Sequence, residues 1–200
     1  FKALFEILKK LKYSFTKNLY HLAYGYISLP EGKMKSREGR VVDADNLADE
    51  MKDLAEKEIK KRNKNLSKKQ TEKISEQIGM GAIKFFMLKY DPMKNFTYSS
   101  RKSIKFEGET GPYLQYTGVR INSILNKSKP NKKVNFSLLS DSSEINLIKH
   151  IDKYPQIIEK STKEHKPSLI CKFLIELCKD FNSFYQRCKV LEKRNKELTN

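Results

Sequence analysis

Apolar residues recur at intervals of three and four positions along most of this 200-residue chain, which is the spacing of amphipathic helices. The helices that this spacing predicts cover residues 1–11 and 46–62, followed by one that begins at Ser67 or Thr71 and runs to Leu88. The next is capped by Thr110 or Gly111 and runs to about Lys127, and a short one is capped by Ser142 or Ser143 and runs to Ile151. Two more begin at Pro155 and Pro167. The last is the clearest, because its apolar residues follow one stripe as far as Leu191. The pattern therefore predicts a mainly α fold.

Four segments interrupt the helical pattern. Residues 19–29 are rich in Tyr, Leu and Ile, which predicts one or two strands with a bend at Gly25. Residues 30–40 contain two Gly, one Pro and four basic residues, which is typical of an exposed loop. Residues 90–108 have no helical period and are expected to form a long loop or a short extended segment, and residues 126–133 read as a linker.

Two glycines, Gly79 and Gly81, lie inside the helix predicted over residues 67–88. Each weakens a helix by about 1 kcal/mol relative to Ala. We therefore expect them to allow another backbone to approach closely.

The charge composition predicts a type of binding partner. Lys and Arg number 41 against 24 Asp and Glu, so the net charge is +17. Such a surplus repels itself unless a polyanion or an acidic partner neutralises it, and nucleic acid is the first such partner to consider. With 38% apolar residues, including 11 Phe and 10 Tyr, the chain has enough to bury to fold.

Membrane, metal and disulfide chemistry are not predicted. No apolar run approaches the roughly 18 residues of a membrane-spanning helix, and no secretory leader opens the chain. Cys171, Cys178 and Cys188 form no CxxC pair and have no His at metal-ligand spacing. We expect a cytoplasmic protein in which the cysteines act as small apolar residues, and we assign no role to its three histidines.

The segment Gly32–Gly39 is the first candidate for chemistry. Glycines at both ends allow it to move, and Lys33, Lys35 and Arg37 alternate along it. Mobile cations suit a triphosphate, because transfer at phosphorus builds negative charge on oxygen atoms. The segment lacks the GxxxxGK[ST] pattern of a P-loop. From its residues alone, a solvated basic loop is the simpler interpretation.

The helix predicted over residues 111–127 is the second candidate. The face expected to pack carries Leu114, Gly118, Ile121 and Leu125. Tyr113, Tyr116 and Arg120 share the other face, which suits stacking of unpaired RNA bases and a phosphate contact. The alternative is that both tyrosines merely border the core. The hydroxyl of Tyr185, in the last helix, also needs a hydrogen-bond partner or exposure to solvent.

These stretches, in this order, resemble the arginyl-tRNA synthetases, class I enzymes that join arginine to its tRNA using ATP. Two stretches look like the last strand and signature loop of the family's nucleotide-binding domain, namely HLAYG at 21–25 and LPEGKM at 29–34. GETGPYLQY at 108–116, with Arg120, is similar to the motif that begins its anticodon-binding helical domain. FNSFY at 181–185 falls where that bundle carries another aromatic residue.

The resemblance implies an ATP-binding loop. Its residues would be Gly32, Lys33, Met34, Lys35, Ser36 and Arg37. Lys33, Lys35 and Arg37 would stabilise adenylate formation. The common class I form is KMSKS, and Lys35 and Ser36 are transposed relative to it. ATP is the implied substrate, accompanied by Mg²⁺, and no tightly bound cofactor is implied.

The resemblance also implies tRNA as the partner, with Tyr113, Tyr116, Arg120 and Tyr185 contacting the anticodon loop. Arginine and ATP would bind through a catalytic core that this chain lacks, since neither a HIGH motif nor an arginine pocket is present. We therefore expect the C-terminal portion of such an enzyme, inactive by itself. The sequence indicates no oligomeric state.

The implied fold is a helical anticodon-binding bundle preceded by the C-terminal remnant of a Rossmann-type catalytic domain. Residues 1–45 would be the tail of that domain with the loop at 30–39, residues 46–107 a helical connector, and residues 108–200 the bundle. We expect an incompletely covered apolar face on the bundle, with oligomeric contacts or mobile ends.

Two alternatives stay open. One is a stand-alone basic helical RNA-binding module without catalysis. The other is a different class I synthetase with this helical domain, such as the cysteinyl type, against which the GPYLQY run argues.

Overall fold

A computed structural model describes residues 1–30, 32–33, 43–63, 65–128 and 135–190, with only the backbone described at 32–33 and 136. Its helices are α1 (Lys2–Lys10), α2 (Ala44–Arg62), α3 (Lys68–Leu88), α4 (Ser100–Ser103), α5 (Gly111–Lys127), α6 (Ser142–Asp152), α7 (Tyr154–Glu164) and α8 (Pro167–Arg187). Short 3-10 turns occupy Ser14–Asn18 and Phe136–Leu138, and the strands are β1 (Ile27–Leu29), β2 (Gly32–Lys33) and β3 (Phe96–Thr97). The described part is mainly helical, as the apolar spacing predicted.

The three strands form one small sheet of order β2-β1-β3. β1 runs antiparallel to β2 and parallel to β3, with Ser28 opposite both Lys33 and Thr97. The extended structure predicted over residues 19–29 is therefore confirmed only at its end. Cross-strand pairs stabilise a strand, and β1 stays short because each of its two partner strands has only two residues. The one-turn helix α4 was not predicted.

α2 and α3 pack side by side and form the first core of the protein. Each begins at a side-chain cap: the Asp43 carboxylate accepts from the backbone N–H of Asp45, and Ser67 forms a capping box with Gln70. The buried residues of this core are Met51, Ala55, Ala82, Phe86, Tyr98 and Ile104. Tyr98 and Ile104 follow β3, so the core also anchors the segment that leads to the bundle.

Glycine allows the helices around α3 to approach closely. A Cβ added at Gly79 would lie 2.9 Å from the backbone of Met51 and Lys52 in α2. A Cβ at Gly81 would collide with the Gln115 side chain, and one at Gly111 with the backbone of Gly81. The prediction that Gly79 and Gly81 permit close approach is confirmed.

In the bundle, α5, α6 and α7 each pack against α8, and a second core lies where α3, α5 and α8 meet. Phe85 of α3 meets Cys171 and Ile175 of α8, with Tyr113 and Leu114 of α5 packed against them. Two polar contacts also tie α3 and its following loop to this side of the molecule. Lys89 Nζ donates to the carbonyl of Glu109 (3.1 Å), and Lys166 Nζ lies 3.1 Å from a carboxylate oxygen of Asp91.

The starts of two bundle helices differ slightly from the sequence prediction. α7 begins at Tyr154, one residue before Pro155. Asp141, rather than Ser142 or Ser143, caps α6, because its carboxylate accepts from the backbone N–H of Ser143 while Glu144 completes the capping box. α8 begins at Pro167 as predicted and ends at Arg187, whereas Leu191 lies outside the described residues.

One face of the bundle remains exposed. Ile121 and Leu125 are 36% and 52% exposed, and nothing approaches within 4 Å of a Cβ added at Gly118. The prediction that these three positions pack with Leu114 is wrong, because only Leu114 among the four packs against the second core. The exposed apolar face expected on the bundle includes this part of α5.

Candidate nucleic-acid interface

The start of α5 places the candidate residues. The Thr110 hydroxyl donates to the carbonyl of Lys105 (2.6 Å) and accepts from the backbone N–H of Tyr113 (3.2 Å). Pro112 in the first turn fits a helix start, where no intrahelical partner for its nitrogen is needed. The helix therefore begins at Gly111, as predicted, and its direction is fixed by the contact of Gly111 with Gly81.

Arg120 lies between two tyrosine rings that come from different helices. Its Cζ is 5.0 Å from the ring centre of Tyr116 on α5 and 4.8 Å from that of Tyr185 on α8. Each such cation–π contact contributes about 0.5–1 kcal/mol at an exposed site. We call Tyr116, Arg120 and Tyr185 the Tyr-Arg-Tyr stack. Tyr116 and Tyr185 are 49% and 41% exposed, so the outer parts of both rings are accessible.

Tyr113 is not part of this exposed stack. It is half-buried against the second core, and its hydroxyl accepts a hydrogen bond from Asn182 Nδ2 (2.8 Å). The prediction that Tyr113 shares a free face with Tyr116 and Arg120 is therefore wrong. Helical spacing aligns the three along α5, but Tyr113 lies in its first turn, where α3 and α8 cover the helix. Any contact of Tyr113 with RNA stays a prediction.

Asn182 is a residue of the site to which the sequence assigned no role. Its Oδ1 accepts from Arg120 Nη1 (2.5 Å), and its Nδ2 donates to Tyr113. It lies three residues before Tyr185, on the same side of α8. That spacing is the signal that could have linked it to the site.

A cavity of about 490 Å³ opens beside the stack. Its lining residues are Tyr116, Val119, Arg120, Ser123, Ile124, Lys127, Tyr185, Cys188, Lys189 and Val190. The volume is within the range of ligand pockets, about 300–1,000 Å³. Aromatic faces beside Lys and Arg side chains suit an unpaired nucleobase and its phosphate.

The other candidate segment is mostly outside the described residues. Gly32 and Lys33 form β2, paired with Leu29 and Ser28 of β1. Met34, Lys35, Ser36 and Arg37 lie outside the described residues. The ATP-binding role of all six therefore stays a prediction.

Thiol, metal and membrane chemistry find no site among the described residues. All three cysteines are free, and burial raises the pKa of the Cys171 and Cys178 thiols, so both stay neutral. In the described ranges, no group of His, Cys, Asp and Glu could hold a metal ion. Nor does any helix there combine the length and apolar character that crossing a membrane requires.

Comparison with known families accounts for both halves of the chain. Residues 1–100 match the catalytic domain of the class I tRNA synthetases designated R, for arginine. The chain belongs to the class I arginyl-tRNA synthetase family. Residues 114–200 match the DALR anticodon binding domain, so the second half of this arginyl-tRNA synthetase segment carries the Tyr-Arg-Tyr stack.

Curated relatives agree with this assignment. The chain is 43% identical over 199 residues to the arginine–tRNA ligase of Flavobacterium psychrophilum, covering 98% of the chain and 33% of that protein. It is 42% identical over 203 residues to that of Borrelia turicatae, covering the whole chain and 34% of that protein. The chain thus spans about a third of the length of these arginyl-tRNA synthetases.

Solved structures of arginyl-tRNA synthetases share the fold. The Thermus thermophilus enzyme superposes with a TM-score of 0.80 at 23% identity, over 93% of the chain and 32% of that structure. The Plasmodium falciparum enzyme gives a TM-score of 0.70 at 26% identity, over 88% of the chain and 30% of that structure. The predicted class, a helical bundle that follows part of a class I catalytic domain, is confirmed.

Proposed function

We propose that this chain supplies the tRNA anticodon contact and part of the ATP site of an arginine–tRNA ligase. The complete enzyme would activate arginine with ATP and transfer it to its tRNA. The division proposed is residues 1–45 for the tail of the catalytic domain, 46–107 for the connector and 108–200 for the anticodon-binding bundle. The observation that carries the RNA-binding role is the exposed Tyr-Arg-Tyr stack within a segment that resembles an anticodon binding domain.

The stack would bind unpaired anticodon bases on its two exposed phenol rings. Stacking of a base on an aromatic side chain contributes about 1–3 kcal/mol and does not require a particular base. The net charge of +17 adds an electrostatic attraction to RNA that is independent of sequence. Of the predicted contact residues, Tyr116, Arg120 and Tyr185 are accessible for direct contact with RNA. Tyr113 would act indirectly, through its hydrogen bond with Asn182.

The loop at 32–37 would act on ATP, bound as its Mg²⁺ complex. In adenylate formation the arginine carboxylate attacks the α-phosphorus, and pyrophosphate leaves with its electron pair. Negative charge therefore grows on the equatorial and leaving oxygen atoms, where Lys33, Lys35 and Arg37 would donate hydrogen bonds. Gly32 would allow the loop to move, while Met34 and Ser36 would complete it. The tRNA terminal hydroxyl then attacks the carbonyl carbon of the adenylate, and AMP leaves.

A cytoplasmic location is part of the proposal. Its support is that the three cysteines of the chain are free, which fits a reducing compartment.

Binding of the 200-residue chain to an anticodon stem-loop of an arginine tRNA tests the RNA-binding role. We expect Tyr116→Ala and Tyr185→Ala each to weaken binding about tenfold, with little change in the salt dependence, because stacking releases no counterions. Tyr154→Ala is the matched control, since Tyr154 on α7 is also 49% exposed but lies away from the stack.

The same measurement distinguishes the stand-alone basic module. A module held by charge alone would keep nearly the same affinity in all three tyrosine variants, because tyrosine contributes no positive charge. It would lose more affinity, with a reduced salt slope, when lysines of the connector between Lys60 and Lys69 become Ala. That result would remove the stack from the proposed function.

A further inference from the structure

The Asn182 side chain joins three groups of α5. Its Oδ1 accepts from Arg120 Nη1 at 2.5 Å, and its Nδ2 donates to Tyr113 Oη at 2.8 Å and to Thr117 Oγ1 at 3.5 Å. One amide of α8 thus contacts residues from two turns of the facing helix. The amide matches its partners in both directions, since its oxygen faces a donor and its nitrogen faces hydroxyl oxygens.

The groups around Asn182 leave it little freedom. Thr117 is 1% exposed, and its hydroxyl already donates to the carbonyl of Tyr113 (3.0 Å), so its oxygen is oriented to accept. Tyr113 is packed on the second core through Phe85 and its neighbours. The amide is therefore held by buried or half-buried partners on one side and presents its oxygen to Arg120 on the other.

Arg120 is restrained from several directions as a result. Nη1 donates to Asn182, Nη2 donates to the Tyr116 hydroxyl (3.3 Å), and the guanidinium lies between the two phenol rings. A guanidinium has five N–H groups in a fixed fork, so N–H groups remain that these two hydrogen bonds do not use. Within the described part of the chain, those remaining groups have no hydrogen-bond partner. They are the ones available to RNA.

We propose that Asn182 is the positioning residue of this interface: it holds Arg120 between the two tyrosine rings so that the unused N–H groups meet acceptor atoms of the RNA. Tyr113 acts through Asn182. Its hydroxyl accepts a hydrogen bond from the amide nitrogen, and this orients the amide oxygen toward Arg120. An arginine held in place loses less conformational freedom on binding than a mobile one. This inference rests on the proposed binding of RNA at the Tyr-Arg-Tyr stack.

The test measures binding of an arginine tRNA anticodon stem-loop to the 200-residue chain and to variants N182A, N182D, R120A and the double variant R120A/N182A. We expect N182A to weaken binding about tenfold, in line with the loss of a hydrogen bond to a charged group. N182D should stay within about threefold of the unchanged chain. Its carboxylate still accepts from Arg120, and the Tyr113 hydroxyl can turn to donate to it.

The double variant separates positioning from a general structural role. If Asn182 acts through Arg120, R120A/N182A should bind no more weakly than R120A alone, because the group being positioned is gone. Tyr113→Phe, which removes only the hydroxyl, should weaken binding by a smaller factor and add nothing to N182A. Thermal unfolding of each variant reports whether the fold is retained, and N182D and Tyr113→Phe keep the test valid if N182A unfolds.

Three outcomes would overturn the inference. The first is an unchanged affinity in N182A. The second is an additive loss in R120A/N182A, because it would mean that Asn182 has an effect independent of Arg120. The failure of the proposed function has a different signature: R120A, Tyr116→Ala and Tyr185→Ala would then all bind as the unchanged chain does, and the inference would fall with it.

Discussion

The backbone of Gly79 lies against the backbone of Met51, so close that a Cβ at residue 79 would come within 2.9 Å of the Met51 carbonyl carbon. This contact sets the separation of α2 and α3, and neither partner is the end of a flexible side chain that could move aside. A Gly-to-Ala change in a helix normally adds about 1 kcal/mol of stability. At residue 79 the steric conflict reverses that sign.

We expect Gly79→Ala to lower the free energy of unfolding by about 1–3 kcal/mol, as overpacking typically does. Gly118→Ala is the matched control, because Gly118 is also inside a helix but has no neighbour within 4 Å of the added Cβ. It should raise the free energy of unfolding by about 0.5–1 kcal/mol. Urea denaturation measures both, and shifts of the same sign would contradict the close-approach explanation.

A second prediction concerns the acid stability of the α6 cap. The Asp141 carboxylate accepts from the Ser143 hydroxyl (2.6 Å) and backbone N–H (2.8 Å) and lies 3.1 Å from Arg187 Nη2. These hydrogen bonds, followed by the charge of Arg187, hold the pKa of Asp141 below its usual range. A carboxyl group with a lowered pKa stabilises the fold above its unfolded pKa, and this stability is lost as the pH falls through the folded pKa.

We therefore expect the unchanged protein to exceed Asp141→Asn in stability near neutral pH, and this difference to shrink as the pH falls below about 4, the ordinary range of an Asp. Asn also caps helices well, so the variant removes the charge while keeping a cap. Denaturation at a series of pH values provides the measurement. A difference that stays constant down to pH 2 would show that the Asp141 charge does not contribute.

A third prediction addresses the loop. Within a full-length arginine–tRNA ligase that carries this segment, Lys33→Ala should lower the rate of adenylate formation on the order of 100-fold, the usual cost of one donor to a developing charge. ATP affinity should change far less, because the contact strengthens only in the transition state. Lys17→Ala, in the exposed 3-10 turn at Ser14–Asn18, is the control. Pyrophosphate exchange measures the rate, and an unchanged rate would exclude Lys33 from the mechanism.

The sequence predicted those features that depend on local chemistry. Ser67 and Thr110, which cap α3 and α5, were each one of two candidates for the start of their helix, because a cap involves only the next three residues. Gly79 was recognised as a close contact because a glycine inside a helix is costly unless it serves packing. Tyr116, Arg120 and Tyr185 were selected in part by helical spacing and in part by resemblance, and the structure brings the three together.

The sequence could not predict features that depend on where two helices cross. The contacts of Asn182 with Arg120 and Tyr113 span more than 60 residues of sequence and depend on where α8 crosses α5. The same crossing half-buries Tyr113 and leaves Leu125 exposed, although helical spacing assigned Tyr113 to the free face and Leu125 to the packed one. The short β1 likewise depends on the length of its partners, which its own residues do not encode.

Two adjacent residues of α3, Phe85 and Phe86, pack into different cores. Phe86 contacts the side formed with α2, while Phe85 forms one wall of the cluster that contains Cys171 and Ile175. A fragment excised at residue 108 to obtain the anticodon-binding bundle alone would strip that wall away and leave Cys171 and Ile175 facing water. The smallest unit worth expressing for binding studies therefore starts before α3, even though the motif that marks the bundle begins some twenty residues after α3 ends.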